Sequence, residues 1–303
     1  MIDLWSDSVP EIAKPNIRLL SRKTNLEQIS SLPRCMTRDI ISEITQYNGA
    51  MCTDHKELYV IACDDSYAQK YAPEFILSHA KYNLPVHLHI EAIDIDTFFL
   101  MYRLFELVPF NMFSVSYTLD SNIRNLSREN IDVNKNDWQS YFTCMRFLIA
   151  EKLLNCNESI VICDTDMIRL SEYEFPDASL SLCFDPLYKD NERHSIWACI
   201  NKIKNDELGR QFLSTYNQIL EQSYQDTDRY EWGIDQRCLY RTFKTIENDA
   251  VSIFSLNQSF YDGVIGHVLD PNSPYIMPHR QERWFADTLW CSESKKYREI
   301  LYK

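Results

Sequence analysis

From residue 56 onward the chain alternates between short apolar runs of strand character and longer segments with apolar residues at helical spacing. That alternation dictates a sheet with helices packed on its faces. ELYVIAC (57–63), PVHLHIEAI (85–93) and NMFSVSYTL (111–119) read as strands, separated by helices over 66–83 and 95–108. After a polar stretch (120–137), WQSYFTCMRFLIAEKLLN sets Tyr141, Met145, Leu148 and Leu153 at helical spacing. It leads into SIVICDTDMI (159–168), whose first half is a buried strand. LSLCF (180–184), SIWACINKI (195–203) and DAVSIF (249–254) add strands, while 205–222 and WGIDQRCLYRTF (232–243) add helices. The expected class is α/β, a mixed sheet flanked by helices in one large domain over 56–303. Residues 1–55 are polar and irregular, with short helical patterns near 25–31 and 37–47, and read as an appended N-terminal segment.

Composition removes several function classes. The five glycines, at 49, 209, 233, 263 and 266, never fall as GxG, so neither a dinucleotide fingerprint nor a Walker A loop exists. A bound phosphate must be held another way. A formal charge of −13 repels phosphate backbones and anionic lipid and argues against nucleic-acid partners. The most apolar stretch, FFLMYRLFELVPFNMF, carries Arg103, Glu106 and Pro109, and reads as a core-facing helix rather than a membrane span. The ten cysteines are scattered, without CxxC or zinc spacing. MIDLWSDSVPEIAK lacks the basic and apolar regions of a secretory signal, so the expected setting is cytoplasmic, with reduced thiols. His87 and His89 share one face of a strand and read as structural.

Three DxD matches occur, Asp94/Asp96, Asp164/Asp166 and Asp226/Asp228, where composition alone yields about two, so a bare match is weak. Only 164–166 closes a buried strand, and ligands of open α/β sheets bind at the carboxyl ends of strands. Two carboxylates one residue apart can share a hard divalent ion, Mn²⁺ or Mg²⁺, whose remaining positions go to substrate phosphates. The plain alternative is that the pair caps the next turn.

Four further segments accompany the pair: IACDDSY (61–67), TCMRF (143–147), WACINKI (197–203) and WGIDQRCL (232–239). In this order the set resembles the metal-dependent nucleotide-sugar glycosyltransferases of the GT-A fold, family 8 type, over roughly residues 60–285. The resemblance implies that Ala62, Asp64, Ser66 and Tyr67 hold the nucleoside, Ser66 standing where the family has Asn. It implies that Arg146 and Thr165 face the nucleotide sugar, and that Asp164 and Asp166 bind the metal. Ala198, Cys199 and Asn201 stand in the strand beside the donor sugar, without the family's Gly. Asp235 and Gln236 match the pair beside the anomeric carbon; Asp235 also has the place of a helix cap. The family's closing H-x-x-G-x-x-K is not matched. His267 and His279 are the candidates for its metal ligand, with His279 preferred because Arg280 and Arg283 beside it offer cations to the diphosphate.

What the resemblance implies is glycosyl transfer from a nucleoside-diphosphate sugar, UDP-linked, to a glycan, lipid or protein acceptor, with retention of configuration. Two other readings stand beside it. One is a GT-A-like module without catalysis, serving as a binding or scaffold protein. The other is a sugar nucleotidyltransferase, which would carry a Gly-rich basic loop after the first strand, where this chain has DDSYAQKY.

Overall fold

A computed structural model describes residues 45–46, 53–91, 95–117, 135–185, 188, 191–227, 233–246, 253–256, 265–267, 296–297 and 300. The first half holds β1 (Thr45–Gln46), β2 (Leu58–Asp64), α1 (Asp65–Ala80), β3 (Val86–Glu91), α2 (Ile95–Leu107), β4 (Phe113–Tyr117) and α3 (Lys135–Leu154). The second holds β5 (Ser159–Cys163), β6 (Met167–Arg169), β7 (Leu180–Phe184), β8 (Ile196–Lys204), α4 (Glu207–Thr227), α5 (Ile234–Ile246), β9 (Ile253–Leu256) and β10 (Ile265–His267).

Eight strands form one mixed sheet in the order β1-β4-β3-β2-β5-β8-β7-β9. The run β4-β3-β2-β5 is parallel, β8 is antiparallel to both neighbours, and β9 is parallel to β7. β1, within the segment read as appended, pairs antiparallel with the outer edge of β4. β6 and β10 form a separate two-stranded sheet.

The central strands bury both faces, which is why they read as continuous apolar runs. Tyr59, Ile61 and Cys63 of β2 face α1 and α2, packing with Phe75, Met101 and Leu104. Leu58, Val60 and Ala62 face the other way, toward Phe147 of α3, Phe212 of α4 and Leu239 of α5. Arg103 and Glu106 on α2 are ion-paired at 2.9 Å on its outer side. Among the described residues no helix is long and apolar enough to cross a membrane. Seven cysteines fall among the described residues and all are free thiols.

His87 and His89 lie in a buried hydrogen-bond chain along β3 and β4. His87 joins Ser114 at 2.8 Å and Ser116 at 2.9 Å; His89 joins Ser116 at 2.9 Å and Glu91 at 3.1 Å. Burial, with His89 adding, pushes the His87 pKa down to about 3, so the ring is neutral at physiological pH.

Candidate active site

The carboxyl edge of the parallel strands gathers residues from four distant parts of the chain. β2 runs straight into α1 without a loop, because Asp64 is extended and caps the helix: its Oδ1 accepts the Tyr67 N–H at 2.7 Å. The Gly-rich loop a nucleotidyltransferase would need is therefore replaced by a strand-to-helix junction. The Asp65 carboxylate accepts the Ser66 N–H at 2.9 Å, and Ser66 itself is exposed. One turn into α1, the exposed Tyr67 leans on Tyr71 and donates its hydroxyl to Asp166 Oδ2 at 3.0 Å. Thr165, buried between the two aspartates, donates to the Ala62 carbonyl at 3.3 Å. The turn after β5 is thus tied to the end of β2 by side chains on both sides. Its backbone is tied to β8 as well, since the Asp164 N–H donates to the Cys199 carbonyl at 2.9 Å.

β8 is irregular along its other edge. Its pairing with β7 breaks between Ser181 and Cys183, while its pairing with β5 runs unbroken. The wholly buried Asn201 fills the break: Oδ1 accepts the Cys183 N–H at 3.3 Å and Nδ2 donates to the Trp197 carbonyl at 3.0 Å. A side-chain amide here replaces the missing ladder bonds, as buried backbone groups require.

Arg146 of α3 sits at the centre of the site, 2% exposed. Nη1 donates to the Cys163 carbonyl at 3.1 Å and to Asp164 Oδ1, and Nη2 donates to Asp235 Oδ2 at 3.1 Å. Glu151, five residues further along α3, accepts from Asn217 Nδ2 at 2.7 Å. An i,i+5 spacing turns the two side chains apart on a helix. Burial alone would lower the Arg146 pKa, but the carboxylates of Asp164 and Asp235 outweigh it and the net shift is upward. Asp235 shows the reverse balance, raised by burial although Arg146 holds it down. Its second oxygen accepts the Gln236 N–H at 2.9 Å at the start of α5, so both oxygens are engaged. Behind the guanidinium, Arg146 Nε and the hydroxyl of Tyr216 are buried without hydrogen-bond partners among the described residues.

The structure therefore brings together Ala62, Asp64, Tyr67, Arg146, Asp164, Thr165, Asp166 and Asp235, with Ser66 and the half-buried Gln236 beside them. His279, Arg280 and Arg283 lie outside the described residues. His267 ends β10, and its backbone is opposite Met167, the residue after Asp166. Of the other DxD pairs, Asp96 is exposed in the first turn of α2 and Asp226 is in α4; Asp94 and Asp228 lie outside the described residues. Sequence reading missed Asn201 as a filler of the β7–β8 break. It also missed Tyr216, whose place in a helical apolar stripe gives no sign that it backs an arginine.

No family model and no curated protein matches the sequence. Among solved structures the chain is similar to the galactosyltransferase LgtC in complex with donor and acceptor sugar analogs. That match has a TM-score of 0.51 and 13% identity, over 79% of this chain and 95% of that one. GlyE of Streptococcus pneumoniae TIGR4 is matched at 13% identity, 82% of this chain, 64% of that one and a TM-score of 0.45. The chain has the GT-A fold that its motifs resemble.

Proposed function

We propose that this chain transfers a glycosyl group from a UDP-linked sugar to a glycan, lipid or protein acceptor, with Mn²⁺ or Mg²⁺ as cofactor. The observation that carries the reading is the arginine bridge. Arg146 joins the aspartate that opens the DxD turn to the aspartate that opens α5, so a diphosphate at one and a sugar at the other would share a single cation. A chance DxD has no reason to be wired to a second acidic residue 71 positions away (Asp164 to Asp235).

The residues present fit a hard divalent ion. Asp164 and Asp166 are partly accessible carboxylates one residue apart, held by Arg146 and Tyr67. Among the described residues no group of three or more His, Cys, Asp or Glu is placed to hold a metal ion. Two carboxylates with donor phosphates and water suit Mg²⁺ or Mn²⁺. His279 is assigned as the third ligand, with His267 as the alternative. Such an ion, when bound, neutralises charge on the departing diphosphate.

The chain's own residues have separable roles in this reading. Asp64 and Tyr67 line the nucleoside end, with Ala62 and Ser66 supplying backbone and hydroxyl partners. Thr165 fixes the DxD turn, and Arg280 is assigned to the diphosphate. Asp235 and Gln236 stand at the reacting carbon, where a carboxylate with both oxygens already bonded suits stabilising positive charge better than taking a proton. That supports retention. The test is calorimetry of UDP with and without Mn²⁺. Asp166→Ala should abolish the metal-dependent part of binding, while Asp226→Ala, in a DxD away from the strand end, should behave as wild type. Equal binding by both variants refutes the site. Metal-dependent UDP binding without slow hydrolysis of any nucleotide sugar would favour a non-catalytic binding module.

A further inference from the structure

The pairing of β2 with β5 runs from Leu58 opposite Ile160 to Val60 opposite Ile162, while the strands themselves continue to Asp64 and Cys163. Past that point side chains join the two strand ends. Thr165 reaches back to the Ala62 carbonyl at 3.3 Å, and Tyr67, at the start of α1, donates its hydroxyl to Asp166 Oδ2 at 3.0 Å. These bonds span 103 and 99 residues of sequence. Both cross from the strand-to-helix junction after β2 to the DxD turn after β5, at the edge where open α/β sheets bind ligands.

Tyr67 differs from Thr165 in having a surface to offer. Thr165 is buried, whereas Tyr67 is 42% exposed. Its ring leans on the buried Tyr71 at 4.6 Å, its N–H is held by Asp64 Oδ1 at 2.7 Å, and its hydroxyl ends on Asp166. An ionised carboxylate only accepts, so the tyrosine is the donor. One side chain therefore presents an accessible aromatic surface and orients a DxD carboxylate at its tip. Hydrogen bonds of this kind fix the direction of a ligating carboxylate, and losing one typically costs about 10–100-fold in metal affinity.

We infer that Tyr67 is a positioning residue that couples the two halves of the donor site. A nucleoside laid on its ring tightens a divalent cation at Asp166, and the cation tightens the nucleoside, with no phosphate joining them. The inference rests on the functional reading above, in which Tyr67 lines the nucleoside end and Asp166 the metal end. A half-exposed tyrosine loses side-chain freedom when a base covers it. A ring held in that way keeps its hydroxyl on Asp166. An ion that fixes Asp166 in turn keeps the ring where the base meets it. Each ligand removes part of the ordering that the other requires, which is positive coupling, and linkage makes the factor equal in both directions.

Uridine is the diagnostic probe, because it carries no phosphate for the ion to touch. Mn²⁺ affinity, followed by the paramagnetic resonance of the free ion, is measured with and without uridine on wild type, Tyr67→Phe and Thr165→Val. Wild type should bind Mn²⁺ about fivefold or more tightly with uridine present, the low end of coupling between two sites. Calorimetry should return the same factor for uridine when Mn²⁺ is added. Tyr67→Phe keeps the ring, so uridine alone should bind as in wild type. Mn²⁺ alone should weaken about tenfold or more, and uridine should no longer change it. Thr165→Val loosens the same turn but leaves the tyrosine, so Mn²⁺ should weaken while the coupling stays. No effect of uridine on Mn²⁺ in wild type overturns the inference and leaves the functional reading standing. Coupling that survives Tyr67→Phe, or that Thr165→Val abolishes equally, does the same. A wild type that binds neither UDP nor Mn²⁺ refutes the functional reading and the inference together.

Discussion

Replacing Arg146 with alanine strands two carboxylates of unequal burial. The Asp164 side chain is 27% exposed and can turn to water, whereas Asp235 has 8% side-chain exposure and cannot. Removing one partner of a buried pair costs about 3–5 kcal/mol, most of it the penalty on the charge left behind. Burial already raises the Asp235 pKa with Arg146 opposing, so without Arg146 it rises further. The sign follows: the unfolded carboxylate releases its proton more readily than the folded one. The variant therefore loses stability as pH rises from the ordinary carboxylate range through the raised folded value. Urea unfolding at pH 7 and pH 5 of wild type, Arg146→Ala, Asp235→Asn and the double variant reads this directly. Arg146→Ala should fall furthest behind wild type at pH 7, and Asp235→Asn in the same background should recover at least about 1 kcal/mol, the scale of coupling between residues in contact. Additivity within about 0.5 kcal/mol, or a deficit that does not change with pH, refutes the buried bridge.

Asp64→Ala should weaken UDP by about 10–150-fold, the loss of a hydrogen bond to a charged group, and leave bare pyrophosphate almost unaffected; it should also cost about 1 kcal/mol of stability by uncapping α1. His279→Ala should lower Mn²⁺ affinity and flatten the decline in affinity as pH drops through the titration of a free imidazole, near about 6.5. A larger defect in His267→Ala would move the assignment to that residue. His87 is neutral when folded, at about 3, and charges when unfolded. Wild-type stability should therefore fall by about 2 kcal/mol between pH 7 and pH 5 on this account, since an unfolded histidine titrates near 6.5. His87→Gln should remove that part of the slope, and an unchanged slope counts against the buried ladder.

Much of the architecture could be read from periodicity, because each β2 or β5 residue must face one apolar layer or the other. Ile61 and Val60 announce opposite faces by alternation alone. The helix carrying Arg146 and the strand ending in Asp164 were legible for the same reason. Their meeting was not, since it depends on α3 packing beside β5 in a particular rotation. The same limit explains why Glu151 turns to Asn217 of α4, a partner 66 residues away that no local spacing reveals. Asn201 reads as one polar residue inside a strand. Its role exists only because β7 and β8 fall out of register at that point, a property of two strands together.

The pairing of β10 with β6 bears on the order in which the site assembles. Strands β2, β3 and β4 and the helices between them can close through contacts near in sequence, but β5 returns to β2 across about one hundred residues, Ile160 opposite Leu58, and Met167 must wait for a partner as far on again, at His267. Closing so long a loop costs entropy before any contact rewards it, and non-local pairings form late. During synthesis the nucleoside end of the cleft is complete while the far wall of the DxD turn is still being made. The two closures are of similar length, so the lag belongs to synthesis: nascent chains stalled before residue 265 should protect the central sheet against hydrogen exchange while Met167–Arg169 stay unprotected until β10 emerges.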